Sequence, residues 1–485
     1  MRDVTGWPRA RGRAARLLPA ILGLLLSIGS IGASSGGPAR AARSAPGPLD
    51  PRSARRVFHE ARSIANRDRG RLWGASIAGP ILLVDPGTRR VIANGRDVAG
   101  VLVRDHGVYV GRLPESLDVA NTALDWNGTL WSMLLWPLPQ RTVDRRILLA
   151  HELWHRVQSR LGLPSTLAGN AHLDAPEGRL WMRLEWHALA AAVSSGRAGR
   201  RAAIADALAF RAHRRSLFPA AANEENALEL NEGMAEYTGV MIGVKRSGRR
   251  AAILDDLARA EQAPSYVRSF AYGSGPAYGW LLDEAAPGWR RDLVATSDLG
   301  VLLGAALQPP PALPSPDVLE SRARRYGLDT LRAVEQTRER ARLARLAADR
   351  ARFVEGRVLA IPLHAPQVSF DPRSLQPLDT LGTVYPTLRV SDVWGILEVT
   401  SGGALLARDW SRVTVPAPAD TTVARLLGGS LQDFVDRAGA SPADTTRTRL
   451  HGDGWELNLE PGWWIVAGAR PGDCAVGPMT PRRAR

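Results

Sequence analysis

Cysteine is almost absent: Cys474 is the only one in 485 residues. A lone thiol excludes an intramolecular disulfide and any zinc site built from several thiolates. Lysine is equally scarce, with Lys245 standing alone, so nearly all of the formal charge of +15 is carried by arginine. That bias reflects composition rather than selection for phosphate contacts. Apart from short clusters such as Arg211, Arg214 and Arg215, the arginines are spread along the chain. Nucleic-acid binding gathers its cations on one face, so the sequence argues against it. Long apolar runs are missing too. After Ile31 no segment has the roughly 20 uninterrupted apolar residues of a transmembrane helix.

One short apolar run does exist, Leu17 to Ile31, preceded by Arg2, Arg9, Arg11, Arg13 and Arg16. Small residues follow, with Ala39-Arg40-Ala41 as an A-x-A-like cleavage site. Residues 1–45 therefore read as a signal peptide, with an uncleaved anchor as the alternative. Export combined with a single thiol fits a bacterial secreted or periplasmic protein, with no stable membrane span once the signal is removed. Residues 1–45 hold seven Arg and one Asp, a net of +6, which leaves +9 of the +15 for the mature chain.

Chemistry concentrates in His151-Glu152-Leu153-Trp154-His155, an HExxH run. Residues four apart share one face of a helix, so both imidazoles can reach one ion. Glu152 can then face a water on the open coordination position and act as general base. No Gly or Pro interrupts residues 141–160, and Ala150, Leu153, Trp154, Val157 and Leu161 recur at helical spacing. Gly162 and Pro164 end the predicted helix. Zinc needs a third protein ligand. Glu185 lies 30 residues on (185 − 155), in an apolar helical run from Leu180 to Val193. A buried carboxylate there needs a partner: the metal, or Arg179 or Arg183.

A second acidic motif follows 77 residues after His155 (232 − 155), in Leu230-Asn231-Glu232-Gly233-Met234-Ala235-Glu236-Tyr237. Together the two motifs resemble the gluzincin metallopeptidases, the clan of thermolysin and aminopeptidase N. The resemblance implies a zinc enzyme with Glu232 as third ligand and Glu236 hydrogen-bonded to a ligand histidine. It favours Glu232 over Glu185, although the spacer is longer than the family's, and residues 198–218 read as an inserted Arg-rich helix. Phe270-Ala271-Tyr272-Gly273 also looks like the family's oxyanion segment. Tyr272 would then be a catalytic hydrogen-bond donor, with Tyr278 as alternative. Asn127 to Trp136 reads as a turn and a strand, either the family's substrate-pairing edge strand or an internal one. The amine-binding Glu of the aminopeptidases has no counterpart in Trp131 to Trp136. The implied partner is a peptide or protein substrate. A catalytically silent binding or scaffold protein of the cell envelope is the rival reading.

The expected fold is α+β: a zincin-like catalytic domain, antiparallel sheet before helices, with a C-terminal all-β module. Residues 46–140 supply an N-terminal helix (51–69) and the sheet, whose hairpins use Ile81–Val84 with Arg90–Ile92, and Val101–Val103 with Val108–Val110. Residues 141–355 supply the helical, zinc-binding part, ending in a long solvated helix, Leu328 to Glu355. Residues 356–485 form the β-rich domain, with strands such as Thr383–Val390 and Trp394–Val399. Trp463-Trp464 there read as core aromatics or, less favoured, as a ligand surface.

Overall fold

A computed structural model describes residues 47–114, 117, 119–163, 169–370, 375–418 and 448–478. The expected signal peptide and Pro164 lie outside the described residues. The first element is helix α1 (Pro51–Asp68). Asp50 caps it by accepting from the Arg52 and Ser53 backbone N–H groups, and Pro51 occupies its first turn, where no N–H is missed. Its apolar stripe, including Val57, Phe58 and Ile64, is buried in the main core.

A six-stranded sheet follows: β1 (Ile81–Val84), β2 (Arg90–Ala93), β3 (Val103–Asp105), β4 (Val108–Arg112), β5 (Thr122–Trp126) and β6 (Thr129–Leu135). The strand order is β3-β4-β2-β1-β6-β5. One expectation changes here, and of two readings left open one is found. The sheet is not wholly antiparallel, because β6 runs parallel to β1, with Leu82 beside Met133. And β6 is internal: β5 folds back on it through Asn127 (φ 53°) and Gly128 (φ 71°), and so takes the outer position. Val101 and Leu102 stay out of β3 because the Asp97 carboxylate accepts both their backbone N–H groups, at 2.8 and 2.9 Å.

Helices then dominate: α2 (Thr142–Gln158), α3 (Pro176–Ser194), α4 (Arg197–Leu217), α5 (Ala221–Leu228), α6 (Met234–Gly243), α7 (Arg249–Glu261), α8 (Phe270–Ala285), α9 (Leu299–Ala306), α10 (Pro316–Arg324) and α11 (Leu328–Arg350). A wide π-type turn, Glu229–Gly233, joins α5 to α6. Glycines set how closely the functional helices approach. A Cβ on Gly239 would lie 2.8 Å from the Ile147 carbonyl oxygen, and one on Gly243 2.7 Å from that of Arg146. These two glycines, one helical turn apart on α6, let it lie directly against α2. A Cβ on Gly275 would come 2.3 Å from the Gly233 Cα, so α8 packs backbone to backbone against the π-type turn.

After α11, the C-terminal region is a β-sandwich. Its seven-stranded sheet runs from the hairpin Trp463–Ala467/Cys474–Pro478 at one edge to Gln376–Leu378 at the other. A five-stranded sheet covers it, and Ile361, Val413 and Val476 of the first meet Val390, Leu397 and Leu457 of the second in a separate core. The expected strand Thr383–Val390 is two strands, Gly382–Tyr385 and Leu388–Asp392, one in each sheet. Pro386, which lacks a backbone donor, sits at the break.

Candidate metal centre

Helix α2 buries Leu149, Ala150, Leu153, Trp154 and Val157 in the core, and this fixes the direction of the adjoining face. That face carries His151 and His155, whose Nε2 atoms stand 3.1 Å apart. Across from them, the π-type turn delivers Glu232. Its Oε2 lies 3.4 Å from His151 Nε2 and 3.6 Å from His155 Nε2. Three ligand atoms held about 2.0–2.2 Å from a tetrahedral zinc would stand about 3.3–3.6 Å apart. The two sides to Glu232 fall in this range and the imidazole–imidazole side, at 3.1 Å, is slightly shorter, so the three atoms could hold a metal ion.

Hydrogen bonds to the far sides of the rings turn the lone pairs inward. His151 Nδ1 donates to Glu236 Oε2 at 2.8 Å. His155 Nδ1 donates to Gln158 Oε1 at 2.9 Å, and Gln158 Nε2 passes on to Asn231 Oδ1, also at 2.9 Å. With both Nδ1 atoms protonated, both Nε2 atoms of the neutral rings are acceptors, facing a carboxylate oxygen. Three acceptors converge, and only a cation or a shared proton reconciles them. Burial works against charge on His151. Glu232 and Glu236 outweigh it, and in the metal-free chain they hold its imidazolium well above the usual histidine range. Burial likewise opposes ionisation of Glu232, but contact with His151 and His155 holds its carboxyl well below the usual carboxylate range. The site is built to stabilise positive charge.

Glu152 is 4% exposed, and its Oε2 is buried with no hydrogen-bond partner among the described residues. Burial is the largest influence on its carboxyl, and it stays above the usual range although His151 and His155 pull it down. A buried carboxylate oxygen without a donor is costly unless a ligand serves it. Tyr272 stacks its ring on His151, with centroids 5.6 Å apart and planes 3° apart, and its hydroxyl donates to Glu232 Oε2 at 2.7 Å. Burial first, and the Glu232 charge next, push its phenol well above its ordinary range, so it remains a donor. His151, Glu152, His155, Glu232, Glu236 and Tyr272 are thus brought into one site.

Glu185 is not in it. It is fully buried, but its oxygens receive Arg211, Arg214 and the Tyr278 hydroxyl. The partners proposed from sequence, Arg179 and Arg183, instead bind Glu335 and Glu261. Helix α4 explains the difference, because it drives Arg211 and Arg214 into the space between α3 and α5. Tyr278, engaged there, is placed away from the oxyanion role that Tyr272 could fill.

Three participants were not singled out from sequence. Gln158 and Asn231 tie His155 to the turn that carries Glu232, and Arg211 grips Glu229 in the same turn, one contact being 2.8 Å. Gln158 had a detectable signal, lying one turn beyond His155 on the same helix; Arg211 had none without the fold. No family model, no curated protein and no solved structure matches this chain.

Proposed function

We propose that this protein is an exported zinc metallopeptidase of gluzincin type, with a zincin-like catalytic domain. The observation that carries the reading is the orphaned Glu152 oxygen beside three convergent ligand atoms. Two imidazoles and one carboxylate are a donor set suited to zinc. Bound there, zinc would supply a Lewis acid that lowers the pKa of a water to about 7 and polarises a carbonyl. His151, His155 and Glu232 would hold the ion, while Glu236 and Gln158 keep the two imidazoles oriented.

Glu152 would take a proton from the attacking water onto its unpartnered oxygen and deliver it to the leaving amine nitrogen. Its raised affinity for a proton suits both halves of that transfer. Tyr272 is the hydroxyl nearest the ligand triangle, and it would turn from Glu232 towards the oxygen that gains charge during attack. The test is Glu152→Gln, assayed on an unstructured protein such as casein alongside metal analysis. Hydrolysis should fall by about a thousandfold or more while the metal content stays near wild type. Activity within about tenfold of wild type would remove Glu152 as general base.

A further inference from the structure

The net charge of the chain is not spread evenly in space. Residues 51–71, which are α1 and the turn that ends it, hold seven arginines against Glu60 and Asp68, a net of +5. Residues 1–46 hold +6, and residues 479–485, with three arginines, hold +3. Subtracting these from +15 leaves +1 for all remaining residues. The internal segments outside the described residues hold −3, so the other described residues hold +4, and this one segment of 21 residues carries +5 of the +9 on the described residues.

These cations share one exposed surface. A shallow cavity of about 390 Å³ is lined by Arg52, Arg55, Arg56 and His59. His59 also borders the next, of about 640 Å³, with Arg62, Arg67, Arg69 and Arg71. The stripe follows α1 for about 27 Å, given 1.5 Å per residue over 18 residues. Among the described residues no carboxylate forms an ion pair with it, although the Glu60 charge still acts on Arg67 and Asp50 lies in the field of Arg56. Glu60 points to the other side, where Arg145 takes it at 2.8 Å and Arg146 at 3.6 Å. Arg52, Arg62 and Arg69 have no acceptor among the described residues, and Arg55 and Arg71 reach only backbone carbonyls.

We infer that this face of α1 is a docking surface for an anionic lipid bilayer. A straight row of guanidinium groups on one side of a helix fits a planar array of phosphate headgroups. The face exposes no Phe, Tyr or Trp for base stacking, since Phe58 is buried and His59 is its one aromatic ring, which counts against single-stranded nucleic acid. The apolar run Leu17–Ile31 ends 19 residues before α1 (residues 32–50), a stretch that spans at most about 65 Å. As the uncleaved anchor that the sequence also allows, that run would hold a bilayer within reach of the arginines. The opposite face of α1 packs on the core beside α2, so docking would hold the metal centre at a fixed orientation to the lipid.

The full chain is tested by flotation with vesicles of phosphatidylcholine alone, and with about 30% phosphatidylglycerol added. The readout is the ratio of the two partition coefficients, in which binding through the apolar run cancels. The ratio should favour anionic vesicles strongly at low salt and collapse at about 0.5 M salt. Arg52→Gln/Arg55→Gln/Arg62→Gln/Arg69→Gln should lower it by at least about thirtyfold, whereas the four Arg→Lys changes should preserve it. The four side chains are exposed, so metal content and thermal unfolding should match wild type in both variants. An unchanged ratio in the Gln variant would overturn the proposal. So would duplex DNA of about 30 base pairs displacing the chain from vesicles through the same four arginines, a result that would assign the face to nucleic acid.

Discussion

Replacing Gly239 with alanine tests whether backbone contact between α2 and α6 sets the metal centre. Two effects compete. In the middle of a helix, alanine is favoured over glycine by about 1 kcal/mol. Against this, the new methyl would lie 2.8 Å from both the Ile147 carbonyl oxygen and Ile147 Cγ2. The side-chain carbon can rotate away; the carbonyl is held in the α2 hydrogen-bond ladder and cannot. To reach an ordinary contact of about 3.4 Å the helices must part by roughly 0.6 Å, and overpacking of that kind costs about 1–3 kcal/mol. Over most of that range the steric cost wins, so net destabilisation should reach up to about 2 kcal/mol, read from urea unfolding. Separation also pulls Glu232 from the histidines, whose contacts of 3.4 and 3.6 Å are at the distances a shared ion tolerates. Zinc affinity, measured by competition with a chelator, should therefore fall at least about tenfold. Gly199→Ala in α4 is the control, because its methyl would meet only the Ser195 side chain, at 3.3 Å or beyond. A Gly239→Ala protein as stable as wild type with zinc affinity unchanged would refute the argument.

Glu232→Ala should abolish stoichiometric zinc binding, whereas Glu185→Ala should keep zinc and lose about 2–3 kcal/mol of stability, because Arg211 and Arg214 retain Glu229 and Glu225 as partners; metal analysis and urea unfolding separate the two. Burial works against the charge of Asp298, but Arg211 and Arg215 bring its carboxyl down to about 2 from the 3.8 of a free side chain. Because the folded value is the lower one, the ion contributes stability above about pH 4 and loses it as the pH falls towards 2; Asp298→Asn should cost about 2 kcal/mol at pH 7 and almost nothing at pH 2 in urea titrations.

The parts of the site legible in the sequence were those whose chemistry is written at short range. His151, Glu152 and His155 occupy one helical face by spacing alone. Glu232 and Glu236 came from a local motif, and their placement follows because both stand on one nearly continuous helical run. Glu185 was ambiguous for a physical reason: a buried carboxylate needs a cation, and sequence does not say which one arrives. Arg211 and Arg214 arrive from α4, a helix that no short-range rule places against α3. The mixed sheet was missed for a similar reason. Strand periodicity reports which side chains are buried, but not whether a strand returns beside β2 or beside β1. Asp97 removed Val101 from its expected strand by a side-chain hydrogen bond, a competition with the ladder that apolar patterning cannot register.

The same distinction explains why the glycines of α6 were overlooked. In a sequence, Gly239 and Gly243 read as weak points of a helix, each costing about 1 kcal/mol. In the fold they lie against the α2 carbonyls of Ile147 and Arg146, while Gly233 and Gly275 play the same part between the π-type turn and α8. The candidate metal site is therefore assembled by two backbone contacts, one bringing Glu232 and Glu236 to the histidines and the other bringing Tyr272 to Glu232. Arg211 adds a third restraint by gripping Glu229 on the far side of the turn. Local helix propensity is sacrificed at four positions, and the ligand triangle gains a geometry that side-chain packing alone would leave looser.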